Sequence, residues 1–133
     1  MRLAIVARQM RCNFDRQVAR LNVTRSRWSL ISVVSHRPGA TQREIADMLE
    51  MSEASAGRLI DRLCNEGLLE RHARDDDRRA RAIYLSDGAE PIMADMAAAA
   101  RVLEDEVFRG FSEEDLSRLG ELLDRMYANL CKS

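Results

Sequence analysis

With 133 residues the chain fits one domain, or two closely merged ones, around a modest core, and most large enzyme folds are excluded by length alone. Hydrophobic residues make up 46% and charged residues 32%, enough of both to build helices with solvated outer faces, so disorder is not indicated. A formal net charge of -1 rules out any argument for a partner from overall charge.

In chain order, Leu3, Ala7, Met10, Phe14, Val18 and Leu21 recur at helical spacing and predict a first amphipathic helix with arginines outward, ended by Asn22 and Val23. Thr24 is an N-cap for a second helix carrying Trp28, Ile31, Val34 and Ser35 up to the break at Arg37-Pro38-Gly39. Thr41-Gln42-Arg43-Glu44 is a capping box, and it opens a short helix with Ile45, Ala46 and Leu49 inward. Met51-Ser52 interrupts, and Ser52 caps a further helix with Ala56, Leu59, Ile60 and Leu63 on its apolar face and Gly67 at its end. Two short helices separated by a brief turn are the helix-turn-helix pattern.

After Gly67 the period falls from 3.6 to about 2. "LLERHAR" and "ARAIYL" predict the two strands of a hairpin, with "DDDRR" at its tip. Ser86 is expected to cap a long helix through about Phe108, with Pro91 placing the regular part from about Ala89. Ile92, Met96, Ala100, Leu103 and Val107 form its stripe. Ser112 with Glu113, Glu114 and Asp115 opens a last helix, where Leu116, Leu119, Leu123, Met126 and Leu130 repeat at 3-4-3-4, the seam of a coiled-coil-like contact.

Charge is distributed unevenly. Residues 1–40 carry eight Arg against one acid, residues 41–85 eight basic against ten acidic, and residues 86–133 five against eleven. All basic residues but Lys132 are Arg, the side chain suited to bidentate phosphate and base contacts, although a G- and C-rich genome gives the same bias. Cys12, Cys64 and Cys131 are far apart and have no C-x-x-C spacing, which indicates a reducing compartment and not a disulfide framework. The opening "MRLAIVARQMR" is too short and too charged for a signal segment, and no stretch approaches membrane-spanning length, so a cytoplasmic protein is expected.

In a helix-turn-helix the second helix presents its outward N-terminal half to the major groove. Ala54, Ser55, Gly57, Arg58, Asp61 and Arg62 fall there. Arg58 suits guanine or phosphate, Ser55 can donate to either, and Gly57 would allow close backbone approach. The plainer alternative pairs Arg58 with Asp61 and Arg62 with Glu66 as ion pairs along the helix. Arg25 and Arg27 are candidate phosphate contacts or simple solvated surface. An enzyme is not expected: His36 and His72 fall in different elements without a nucleophile or metal-ligand spacing, and "DDD" lacks the spacing of a calcium loop.

The segment from Thr24 to Glu90 resembles the MarR family of bacterial transcription regulators, especially its SlyA-like branch. The residues that carry this are Trp28, Pro38-Gly39, Thr41-Gln42, Ile45-Ala46, Leu49, Leu59 to Leu63, Gly67-Leu68, Arg71, Asp77-Arg78-Arg79 and "IYLSDGAE". The resemblance implies a mainly α fold with a small β-hairpin wing, a winged helix-turn-helix plus a helical dimerisation region. The expected layout is 1–23 and 89–133 for dimerisation around a DNA-binding domain at 24–88. It implies a homodimer on pseudo-palindromic double-stranded DNA, most simply a repressor released by a ligand. The implied DNA-binding residues are Thr41, Gln42, Ser52, Ala54, Ser55, Gly57, Arg58, Arg62, Asp77, Arg78 and Arg79, with Arg79 in the minor groove, Asp77 orienting it and Arg78 on adjacent phosphates.

The sequence departs from the pattern at Asp76, where a Pro or Asn is common, and at Glu53, Ala54 and Gly57, where bulkier or more basic residues often sit. No cofactor or metal is implied. A small aromatic or phenolic effector is, with Cys12, Arg16, Trp28, Ser32 and His36 as candidates to line its pocket. Two alternatives stand beside this: a winged-helix protein-interaction module with weak or lost DNA binding, and a redox sensor acting through Cys12.

Overall fold

The computed structural model describes residues 1–76 and 79–131, so the expectations for Asp77 and Arg78 lie outside the described residues. Helix α1 spans Arg2–Ala19. It stops where Leu21 and Asn22 donate back to the Val18 and Ala19 carbonyls and Asn22 takes a φ of 57°, a left-handed turn that Asn tolerates. Thr24 then caps α2 (Arg25–His36) by accepting from the Arg27 amide at 3.4 Å.

The capping box expected at Thr41 forms in full. Thr41 Oγ1 accepts from the Glu44 amide at 3.2 Å while Glu44 Oε2 accepts from the Thr41 amide at 3.0 Å, and this opens α3 (Gln42–Met48). Ser52 Oγ accepts from the Ser55 amide at 3.1 Å and starts α4 (Glu53–Asn65). In the tight turn between them Glu50 adopts a φ of 53°. Gly67, at φ 76°, ends the pair: a Cβ there would meet nothing within 4 Å, so its backbone angle and not crowding is what favours glycine.

The hairpin strands are β2 (Leu69–Ala73) and β3 (Arg81–Leu85), paired antiparallel from Leu69 opposite Leu85 to Ala73 opposite Arg81. A third strand, β1 (Ala40–Thr41), was not expected; two residues are too short to show a period. It pairs with β3 through Ala40 opposite Ile83 and Thr41 opposite Ala82, so the sheet order is β1-β3-β2 and the wing is anchored to the start of α3.

Helix α5 (Glu90–Val107) follows a short 3-10 turn at Asp87–Ala89, and α6 (Glu113–Leu130) opens on a second capping box between Ser112 and Asp115. Ser86 does not cap as expected. Its hydroxyl donates to the Gly67 carbonyl, and its amide donates to the Leu68 carbonyl at 3.0 Å. A Cβ on Gly88 would collide with that same Gly67 carbonyl. The start of α5 is therefore clasped against the end of α4.

One core unites Leu30, Ile31 and Val34 of α2, Ile45 of α3, Leu59, Ile60 and Leu63 of α4, Leu69 and Ile83 of the sheet, and Met96 of α5. A smaller cluster of Val18, Val23 and Ala99 joins α1 to α5, with Phe14, Trp28 and Ile92 touching both clusters. The helical periods had placed Val18, Ile31, Val34, Ile45, Leu59, Ile60, Leu63 and Met96 inward, whereas Leu30, Val23 and Ala99 are buried without having been expected there, and Leu3 and Leu21 of the expected stripe are exposed. Helix α6 is different, since none of its residues is buried. Leu116, Leu122, Leu123, Met126 and Leu130 are all exposed on it, as are Leu3, Ile5 and Val6 on α1.

Candidate nucleic-acid interface

Helix α4 packs its apolar side on the core and leaves Ala54, Arg58, Asp61 and Arg62 exposed, with Ser55 half-buried. The ion pairs considered along this helix do not form. Arg58 Nη2 donates instead to Ser55 Oγ at 3.3 Å, and Ser55 Oγ also accepts from Ser52 Oγ at 2.8 Å. The capping serine, Ser55 and Arg58 thus form one chain of hydrogen bonds along the outward N-terminal half of the helix. It holds the guanidinium over that face without neutralising it.

The acids expected to neutralise α4 are used elsewhere. Asp61 pairs with Arg71 of β2 at 2.5 Å, and Glu66 pairs with Arg27 of α2 at 2.8 Å. These contacts join elements far apart in sequence, which spacing along one helix does not reveal. They also give Arg25 and Arg27, candidate phosphate contacts or solvated surface from the sequence, acid partners within the chain. Arg27 is bound to Glu66, and Arg25 is bound to Asp15 of α1. The Asp15 carboxyl accepts from Arg25 and, at 2.8 Å, from Trp28 Nε1. The Arg25 hydrogen bond is the main reason its pKa lies below the usual carboxylate value, and the Trp28 bond works in the same direction.

Gly57 is the clearest departure from expectation. It is buried, not outward, and a Cβ there would sit 2.7 Å from Gln42 Nε2. Gln42 in turn donates to the Glu53 carbonyl at 3.3 Å, so the two residues expected to meet DNA meet each other. The reason is the tight helix-turn-helix angle, which brings the first turn of α3 across the first turns of α4.

Between the starts of α3 and α4 and the wing runs a cleft lined by Thr41, Gln42, Arg43, Glu53, Arg74, Asp76, Arg79, Ala80 and Arg81. Thr41, Gln42 and Arg79 were anticipated there. Arg43, Arg74 and Arg81 were not, yet the strand register carries the signal: Arg81 opposes Ala73, and the Arg74 amide reaches the Ala80 carbonyl at 3.4 Å. Arg74 grips Asp76 through two parallel bonds of 2.8 and 2.7 Å, a bidentate brace at the base of the tip. Asp76, the residue that departs from the family pattern, therefore has a local structural role.

The effector candidates are spread over two helices. Cys12 is half-buried and Arg16 exposed on α1, and Arg25 contacts Cys12 after its main partner Asp15. Trp28 and Ser32 are half-buried on α2, and Trp28 stands edge-on to Phe14 with ring centroids 4.8 Å apart. His36 lies at the helix end, where its Nδ1 bonds the Ser32 carbonyl at 2.8 Å, and it lines a different concavity with Arg37, Pro38, Gly39, Ala40, Glu44 and Arg74. Burial pushes the Cys64 thiol up, which keeps it protonated and unreactive. Cys131 is exposed at the end of α6.

Among the described residues no group of three or more His, Cys, Asp or Glu is placed to hold a metal ion, and no helix is long and apolar enough to cross a membrane. Comparison with known proteins agrees with the geometry. Residues 21–80 match a MarR family model. The crystal structure of the transcriptional regulator PA3341 is 32% identical, covering 98% of this chain and 96% of that one, with a TM-score of 0.82. The transcriptional regulator SlyA is similar in fold at 22% identity, covering 98% of this chain and 92% of that one, with a TM-score of 0.76. A mutant MarR from E. coli, solved complexed with operator DNA, has the same fold at 18% identity, covering 93% of this chain and 89% of that one, with a TM-score of 0.71. The winged helix-turn-helix, its arginine-lined face and these likenesses together place the chain in the MarR family of transcription regulators.

Proposed function

We propose that this regulator acts as a homodimer on pseudo-palindromic duplex DNA, with α4 in the major groove and Arg79 of the wing in the adjacent minor groove. The observation that carries the reading is the Ser52, Ser55, Arg58 chain, which holds an uncompensated guanidinium outward on the first turns of α4. The arginine-lined cleft beside it extends the cationic surface to the wing. The dimer reading rests on α6 and the start of α1. Their Leu3, Ile5, Val6, Leu116, Leu123, Met126 and Leu130 are all exposed, large apolar side chains that a second copy would cover. A two-fold pairing through these helices would set two recognition helices about 34 Å apart, one turn of DNA.

The decisive experiment is a fluorescence-anisotropy titration of the chain against the duplex flanking its own gene, repeated over a range of salt. Arg58→Ala should weaken binding by about 1–3 kcal/mol, and Arg79→Ala should lower both affinity and salt slope. Unchanged affinity and unchanged salt slope in both variants would remove the assigned DNA face. In its simplest form the regulator is a cytoplasmic repressor released by a small aromatic or phenolic ligand. Salicylate titrated into the preformed complex should then raise the apparent Kd.

A further inference from the structure

Gln42 and Gly57 meet each other where the starts of α3 and α4 cross. Gln42 is the first residue of α3 and is half-buried, and its side chain leaves α3 to donate from Nε2 to the Glu53 carbonyl at 3.3 Å. In an α-helix the carbonyl of residue 53 faces the amide of residue 57, one turn on. A second donor can reach its remaining lone pair only if the side chain at 57 leaves room. Position 57 is glycine, and a Cβ there would stand 2.7 Å from Gln42 Nε2, 3.2 Å from its Cδ and 3.4 Å from its Oε1. These three nearest atoms all belong to one amide, so the Gln42 side chain is what a methyl at position 57 would meet first.

We propose that Gln42 is a positioning residue for DNA recognition and Gly57 its receptor. The amide ties the first turn of α3 to the first turn of α4 and so sets the angle at which Arg58 and Ser55 are presented. Beyond this tie Ile45 of α3 shares the apolar core with Leu59 and Ile60 of α4, and apolar contact sets no direction of its own. A hydrogen bond between a rigid first turn and a backbone carbonyl supplies the missing orientation. The inference rests on the DNA-binding reading above, and it assigns Gln42 to geometry and not to base readout.

The test uses the full chain and a duplex enriched by it from a random-sequence pool, with Gly57→Ala, Gln42→Ala and the double variant compared. Gly57→Ala evicts the amide and should weaken binding about tenfold, the order of one lost base contact, with its Tm kept or raised because alanine favours the helix. Gln42→Ala removes the amide without a clash and should cost about threefold. The double variant should bind like Gln42→Ala, because without the amide the new methyl has nothing to displace. All three should enrich the same sequence with the same salt slope. The inference is overturned if the Gly57→Ala loss persists undiminished in the double variant, or if Gln42→Ala changes the preferred base at one position. Failure of the unaltered chain to enrich any duplex would instead overturn the DNA-binding reading itself.

Discussion

The winged helix-turn-helix and the terminal helices use their apolar residues in opposite ways. In the first region Leu30, Ile31, Ile45, Ile60, Leu63 and Ile83 are fully buried within one chain, and three arginines are tied to acids across elements. In the second, α6 buries nothing, and Leu123, Met126 and Leu130 are 40%, 47% and 74% exposed. Burial sets stability in the first region, while in the second the same kind of side chain stays exposed and, in the proposed dimer, meets another copy. A contrast exists among the arginines too. Arg27 and Arg71 are held by acids and brace the fold, whereas Arg58 is held by a neutral hydroxyl and keeps its charge.

The largest effect should come from placing one change in each region. Leu63→Ala opens a cavity in the core and should cost about 2–5 kcal/mol in denaturant unfolding. Leu123→Asp in α6 should instead shift sedimentation from dimer to monomer, and abolish the dependence of the Tm on protein concentration that a dimer shows and the core variant keeps. A Tm that still rises with protein concentration in Leu123→Asp would erase the distinction between the regions.

Gly88→Ala should be next in size. The added methyl meets the Gly67 carbonyl at the clasp, so about 1–3 kcal/mol of stability is expected to be lost. Calorimetry would show this as a lower Tm, and an unchanged Tm would mean that the clasp yields freely. Smaller again is the tie between α1 and α2. Because the Asp15 pKa is depressed in the folded chain, its contribution is present above the ordinary carboxylate pKa and is lost as pH falls through the depressed value. The unfolding free energy should therefore decline below about pH 4, and Asp15→Asn should be less stable at neutral pH with a flatter acid limb. Arg25→Ala should leave the salt slope of DNA binding unchanged, which separates bracing arginines from binding ones. The smallest effect is expected at Glu50, whose φ of 53° favours glycine: Glu50→Gly should change stability by no more than about 1 kcal/mol, in the stabilising direction.

Much of the architecture was legible because its signals are local. The capping box at Thr41 and Glu44, the caps at Thr24, Ser52 and Ser112, and the inward stripe of α4 all depend on residues within a few positions of one another. Asp77 and Arg78, expected at the wing tip, lie outside the described residues, while Arg79 lines the cleft with Arg43, Arg74 and Arg81. What could not be read from spacing was the partner of each charged or polar group. Ser86 looked like a cap and bonds Gly67, 19 residues away; Arg27 looked available and binds Glu66, 39 residues away.

By itself the sequence determined where helices and strands begin and which of their faces turn inward, since caps and hydrophobic periods act over one or two turns. Only the tertiary structure decided that Gly57 faces Gln42, that Asp61 and Glu66 serve arginines of other elements, and that α6 buries none of its residues among those described. The physical reason is range. A helix forms from its neighbours in sequence, but a hydrogen bond, an ion pair or a buried face is completed by whichever element the fold brings alongside.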